Sequence, residues 1–155
     1  KWVNCWIHAA FLQMKDGKMS KSKGEFLTLD TLIAKGYKPE HYKYFCLTSH
    51  YKTSSNFSFD ALDAAKNAYE SLVSKIKELK QSVSDNKTVD IELESSYIKK
   101  FNSFMFNDLK TPQALAVVWE VLRNPAMPPK SKLNFMEHTD NNSWQRCLQC
   151  TFTTL

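Results

Sequence analysis

Between residues 62 and 79 the chain carries an apolar stripe that leaves few choices of fold. Leu62, Ala65, Tyr69, Leu72, Val73, Ile76 and Leu79 recur at steps of three and four, a spacing that lines one face of an α-helix and suits neither face of a strand. Ser58 stands where a hydroxyl would cap the first turn of that helix. A helix this long with one apolar face gains most of its stability from packing, so it needs partners. Two further stripes supply them: Tyr97, Ile98, Phe101 and Met105, then Leu115, Val118, Trp119 and Leu122. Thr111-Pro112 introduces the last of these as a cap followed by a helix-starting proline. The expectation is a mostly α chain whose centre is an antiparallel helical bundle.

The first part of the chain reads differently. His8 to Met14 alternates weakly, like a strand, and Asp16-Gly17 makes a turn after it. Lys18 to Glu25 is a polar loop rich in Lys and Ser. Thr28 suits the N-cap of a short helix through Leu32 and Ile33, with Gly36 as its C′ stop. Pro39 opens another helix, which carries Tyr42, Phe45 and Cys46. Ser84 to Asp90 is a polar connector. From Asn124 onward no period holds, and Pro125, Pro128 and Pro129 end the last helix. These signals divide the chain into an α/β piece at 1–57, a bundle at 58–123 and an irregular tail at 124–155.

Composition narrows the class. Hydrophobic residues make up 43% of the 155, enough for a core of one domain or two small ones. The formal net charge of +5 is uneven: residues 1–80 hold 13 lysines against 8 Asp and Glu, whereas residues 81–155 balance 8 against 8. Such an excess suits a polyanion nearby, or equally a solvated lysine face. Cys5, Cys46, Cys147 and Cys150 are few and irregularly spaced, so a reducing, cytoplasmic setting is expected rather than a disulfide framework. No apolar run approaches the length of a membrane span. The chain opens on Lys1, and it is expected to be a piece of something longer.

Within the polar loop, Lys18-Met19-Ser20-Lys21-Ser22 spells KMSKS between a strand and a helix. Two lysines three residues apart on small-residue backbone can converge on one anion. The serines add hydroxyls and let the main chain approach phosphate. Such a loop can close over ATP and neutralise charge on pyrophosphate as it leaves, and lysine suits the task as a compact charge on a flexible stem. Read alone, the same residues more often describe a mobile, solvated lysine loop.

KMSKS is the second signature of class I aminoacyl-tRNA synthetases, and its surroundings resemble one branch of them. WVNCWIHAAFL is similar to the strand region that precedes the loop in bacterial-type cysteinyl-tRNA synthetases. KMSKSKGEFLTLDTLIAKGYKPEHYKYFCLTSHYKTSSNFSF resembles that family's run through the loop and its following helices, and FNDLKTPQALAVVWEVL its later helix-turn-helix. The resemblance covers residues 1–123 in unbroken order and stops there. It implies the end of a Rossmann-like catalytic domain leading into the bundle. It also implies ATP with Mg2+, cysteine and tRNA(Cys) as partners, a monomer, and Lys21 as the residue that contacts ATP in the transition state of amino-acid activation. Lys18, Met19, Ser20 and Ser22 complete the ATP-binding loop. The chain departs from the family at Glu25, where Asn is frequent.

The family's HIGH-type sequence and its zinc ligands, two cysteines, a histidine and a glutamate, do not occur among these residues. No metal ligand is therefore assigned here, zinc is expected through a longer parent, and these 155 residues are expected to be inactive alone. A non-catalytic tRNA-binding or interaction module derived from a synthetase is the rival reading. His50 and Lys52, flanking Tyr51 after a helix, fit either a contact with the inner bend of tRNA or an exposed polar loop. His8, beside Trp6, reads as hydrogen-bonded in place, and Cys147-x-x-Cys150 with His138 near is a weak zinc pattern. Trp119 and the Tyr42, Tyr44 and Phe45 cluster read as core rather than base-stacking platforms.

The charge split generates a prediction. The chain binds tRNA weakly, with little sequence preference and a steep salt dependence, because phosphate and shape dominate recognition of A-form RNA. Neutralising Lys52 with its neighbouring lysines weakens binding uniformly. Titrating cysteine tRNA and an unrelated tRNA at two salt concentrations measures this; a large, salt-insensitive preference for the former contradicts it.

Overall fold

A computed structural model describes residues 6–14, 28–83 and 88–140. In chain order the elements are β1 (Leu12–Met14), α1 (Leu29–Ala34), α2 (Pro39–Leu47), β2 (Ser55–Phe57), α3 (Phe59–Ser82), α4 (Ile91–Met105), α5 (Thr111–Arg123) and α6 (Pro129–Thr139). The described chain is mostly helical, as the stripes require. Its contacts separate two compact units, Lys1–Ser71 and Leu72–Leu155.

The first unit joins a two-stranded parallel sheet to α1, α2 and the start of α3. β1 pairs with β2 in the register Leu12 with Ser55, Gln13 with Asn56 and Met14 with Phe57. The strand is shorter than the His8–Met14 expected, since only its last three residues join the ladder. Thr28 caps α1 by accepting the Thr31 N–H at 3.2 Å. Gly36 follows with φ of 85°, a left-handed conformation that favours glycine, and the Tyr37 N–H reaches back to the Leu32 carbonyl at 3.0 Å. Ser58 caps α3, its Oγ accepting the Ala61 N–H at 3.1 Å. The interior is aromatic: Phe57 lies edge-on to Phe45 at 5.7 Å and to Phe59 at 5.5 Å. Tyr69 meets both His41 and Tyr44 edge-on, and the Tyr37 hydroxyl donates to Asp63 at 2.7 Å. These contacts draw α3 through Ser71 into the first unit.

The second unit packs α4, α5 and α6 with the end of α3. Phe101, Met105, Ala114, Val117, Val118, Val121, Met127 and Phe135 form its core, with Leu72 of α3 and Leu109 packed against it. Asp90 caps α4 by accepting the Leu93 N–H at 2.9 Å. The link from α4 to α5 holds Asp108 and Leu109 at φ of 61° and 49°. Left-handed backbone costs an ordinary residue about 1–2 kcal/mol, and the packing of Leu109 against the core sustains it here. α5 begins at Thr111 with Lys110 as its N-cap, one residue ahead of the expected start.

The expectation of an irregular tail from residue 124 is corrected by α6. Pro128 is its N-cap and Pro129 its first residue, so these prolines open a helix rather than close one. The buried face runs through Ser131, Phe135 and Thr139, a four-residue step disguised by two hydroxyls. Ser131 is fully buried because its Oγ accepts the Asp90 N–H at 2.8 Å. Residues 141–155 lie outside the described residues. Phe135 has no exposed surface, so Phe135→Ala lowers unfolding stability by about 3–5 kcal/mol. Urea denaturation followed by circular dichroism measures it; a change under about 1 kcal/mol, as for a residue in a solvated tail, contradicts the packing of α6.

Candidate functional site

The loop Lys18-Met19-Ser20-Lys21-Ser22 lies outside the described residues; its two flanks do not. On one side the chain leaves β1 after Met14, half-buried in the parallel ladder. On the other it enters α1 at the Thr28 cap, anchored by Leu32 at 2% exposure. The departure is from the carboxyl end of a parallel strand, and in open α/β sheets ligands bind outside the carboxyl ends of strands. Both flanks are thus fixed by hydrogen bonds and burial.

His50 and Lys52 belong to a turn between α2 and β2. The Thr53 N–H donates to the His50 carbonyl at 2.9 Å, and the Lys52 N–H donates to His50 Nδ1 at 3.3 Å. The His50 and Tyr51 rings lie 4.8 Å apart, and Lys52 Nζ stands 5.4 Å from the Tyr51 ring centre. The Ala10 N–H donates to the Tyr51 carbonyl at 2.8 Å, which ties the turn to the stretch before β1. Because the strands are parallel, this turn meets the sheet at its amino end, whereas the chain toward Lys18 departs from the carboxyl end. Lys52 is exposed and His50 half-buried. The turn is therefore braced by hydrogen bonds and rings, with the Lys52 ammonium lying against the Tyr51 face.

A histidine that no sequence pattern singles out sits behind these elements. His41 of α2 is 2% exposed. Its Nδ1 accepts the Lys38 N–H at 3.1 Å, which closes the first turn of α2, and its Nε2 faces Glu70 at 3.8 Å. Burial pushes its pKa below the ordinary value; Glu70 opposes this, while Lys66 and Lys38 add to it. The signal available in sequence is only its place three residues after Lys38, the N3 position of the helix. Nearby, burial pushes the Tyr42 hydroxyl up to about 12 and raises the Cys46 thiol, while the Tyr42 hydroxyl works the other way on it.

Other expectations resolve singly. His8 is exposed. Tyr44 and Phe45 are buried, as expected of core, whereas Tyr42 and Trp119 are only half-buried. Cys147 and Cys150 lie outside the described residues, and among the described ones no group of three His, Cys, Asp or Glu side chains could hold a metal ion. No described helix is long and apolar enough to cross a membrane.

Comparison with known proteins adds a separate line. Residues 1–67 match the family model described as tRNA synthetases class I (C) catalytic domain. A protein of Borrelia turicatae named cysteine–tRNA ligase is 33% identical over 85% of this chain and 29% of its own length. One of the same name from Actinobacillus pleuropneumoniae is 38% identical over 79% of this chain and 25% of its own. Another, from Treponema denticola, is 31% identical and covers 100% of this chain and 35% of itself. That last match runs through residues 124–155, beyond the point where the resemblance visible in the motifs stops. The chain spans about a third or less of the length of these relatives.

The His41 geometry yields a prediction with a definite sign. A histidine whose folded pKa lies below its unfolded value stabilises the fold above the unfolded pKa, near 6.5, and that contribution fades as pH falls toward the folded pKa. Stability therefore drops as pH is lowered from about 7.5 to about 5.5, and His41→Asn flattens the drop. Denaturant titrations of both proteins across that range measure it; parallel pH profiles contradict it.

Proposed function

Because the chain belongs to the class I aminoacyl-tRNA synthetases of the cysteine type and covers part of their length, we propose that it supplies the ATP-clamping side of a cysteine–tRNA ligase. The observation that carries this reading is KMSKS at Lys18 to Ser22, intact and inside the 1–67 stretch that matches the class I catalytic domain. The reaction is activation of cysteine by ATP, in which a carboxylate oxygen attacks the α-phosphorus and pyrophosphate leaves, followed by attack of a terminal ribose hydroxyl of tRNA(Cys) on the adenylate's carbonyl carbon, which forms the cysteinyl ester and releases AMP. Lys21 meets the charge that gathers on the departing pyrophosphate, and Lys18, Met19, Ser20 and Ser22 shape the loop around it. The parallel strand that ends at Met14 and the capped helix that begins at Leu29 support the loop at both ends.

The remainder of the active site belongs to chain beyond these residues. Trp6, Ile7 and Phe11 are 72%, 58% and 85% exposed beside β1, and a two-stranded parallel sheet is seldom stable uncovered. In a longer ligase, further chain covers that face and brings Mg2+ and the thiolate-selecting zinc. His50 and Lys52 serve as a weak phosphate contact for tRNA, in a reducing cytoplasm.

The test is Lys21→Ala in the complete ligase. Pyrophosphate-exchange kinetics are expected to show the adenylation rate reduced about 10²–10³-fold, with a much smaller rise in the cysteine KM. An unchanged kcat removes the role given to Lys21.

A further inference from the structure

Three consecutive main-chain donors fix the link between α1 and α2. The Gly36 N–H reaches the Ile33 carbonyl at 2.9 Å and the Tyr37 N–H the Leu32 carbonyl at 3.0 Å, so these two close α1 on itself. The next donor, the Lys38 N–H, goes to a side chain instead, His41 Nδ1 at 3.1 Å. Lys38 is the N-cap of α2 and His41 its third residue, the place from which a Glu or Gln ordinarily reaches back to the N-cap amide. A glutamine keeps its acceptor at every pH, whereas an imidazole has none once both nitrogens carry protons. Of the three bonds in the link, one therefore depends on a proton.

The surroundings of His41 define two arrangements. Because Nδ1 accepts, the neutral ring carries its proton on Nε2, which faces Glu70 Oε1 across 3.8 Å, too far for a hydrogen bond. A second proton must sit on Nδ1, where it meets the Lys38 N–H donor to donor. The charged ring has Glu70 of α3 and Glu40 of its own helix in its favour; burial, Lys66 of α3 and Lys38 act against it. The other faces are the rings of Tyr37 at 6.5 Å and Tyr69 at 5.7 Å. The Glu70 side chain is 55% exposed, so the charged ring is drawn toward α3 and off the Lys38 amide. Tyr37 does not follow, since its hydroxyl is held by Asp63 at 2.7 Å and its ring stacks on Phe59. The link thus has a fixed half at Tyr37 and a titratable half at Lys38.

We propose that His41 is a positioning residue for the ATP loop: its neutral ring pins the α1–α2 link through the Lys38 amide, and protonation releases that link and loosens α1. α1 is the helix that the chain enters after Lys18 to Ser22, and at six residues it has little stability of its own. The Thr28 cap, the burial of Leu32 and the link to α2 hold it in place. The effect on the link rests on geometry alone; the effect on the loop rests on the function proposed above.

Two readouts separate the link from the loop. In the 155-residue chain without ATP, nitrogen–proton correlation spectra of the imidazoles at about pH 7.5 are expected to show His41 protonated on Nε2 alone. Lowering the pH to about 5.5 titrates His41 and moves the Lys38 amide resonance with the same midpoint. Exchange of that amide with solvent, relative to its intrinsic rate, quickens about fivefold, the size of one lost cap. In the complete ligase, pyrophosphate exchange over the same range is expected to show kcat/KM for ATP falling about fivefold more in the unaltered enzyme than in His41→Gln, which keeps an acceptor for the Lys38 N–H. His41→Leu, with no acceptor, is about fivefold lower already at neutral pH and then follows the profile of His41→Gln. A Lys38 amide indifferent to the His41 titration, or a proton on Nδ1 at neutral pH, overturns the link. A pH profile of His41→Gln parallel to that of the unaltered enzyme overturns the positioning role. The spectra need no variant, so the proposal stays testable if His41→Leu does not fold. They also need neither ATP nor Lys21, so failure here and failure of the Lys21 reading are told apart.

Discussion

Phe101 of α4 and Phe135 of α6 meet edge to face with their ring centres 6.0 Å apart, and neither retains exposed surface. An aromatic pair of this kind adds specific geometry to a large apolar burial. Around it, Val117, Val118 and Val121 turn one face of α5 inward, and Met127 closes the link between α5 and α6. The polar features of the unit depend on that packing. Asp90 reaches Ser131 only because α6 lies against α4, and Lys132 reaches the Leu122 carbonyl at the end of α5 only because α6 lies beside it. Burial and the facing Lys75 push the Lys132 pKa down, a modest penalty accepted where the apolar contacts are many.

The first unit is held differently. Its core is small and aromatic, and the edge-on contacts among Phe45, Phe57, Phe59, His41, Tyr44 and Tyr69 make up much of it. Tyr37 stacks on Phe59 at 6.2 Å while its hydroxyl is held by Asp63, whose carboxylate pushes the phenol pKa up. Polar ends on apolar rings let a small core form without leaving buried groups unpaired. This core fixes α1, α2 and β2, and with them the strand and the cap that flank Lys18 to Ser22. The elements that flank Lys18 to Ser22 depend on side chains outside the motif.

Much of this is legible in the residues. The stripes of α3, α4 and α5 are periodic and long, and the caps at Thr28 and Ser58 are polar residues ahead of apolar runs; local signals of this strength agree with packing. Asp90, read in sequence only as the end of a polar connector, caps α4 in the structure. The α6 stripe is not legible, because Ser131 and Thr139 occupy positions that a count of apolar residues scores as solvent-facing. Only a partner 41 residues away in sequence, the Asp90 main chain, makes Ser131 an interior residue. Pro128 and Pro129 mislead for a related reason: proline both stops and starts helices, and the residues after it decide which. KMSKS stands out by its spelling and lies outside the described residues, whereas His41 does not stand out, since a histidine that closes the first turn of its own helix carries no motif. Trp119 reads as core from its place in an apolar stripe; the helix turns it to the margin, where it meets Arg123.

The bond between Asp90 and Ser131 also has a kinetic meaning. It joins the first turn of α4 to the first turn of α6 across all of α5, so it cannot form until the intervening chain has been ordered or looped out. Loop-closure entropy must be met before such a distant contact returns anything. During synthesis α4 and α5 leave the ribosome ahead of α6, with the faces of Phe101 and Val121 uncovered until it follows. The unit is complete only when its last helix arrives, and a chain cut short before Phe135 has its aromatic core half built.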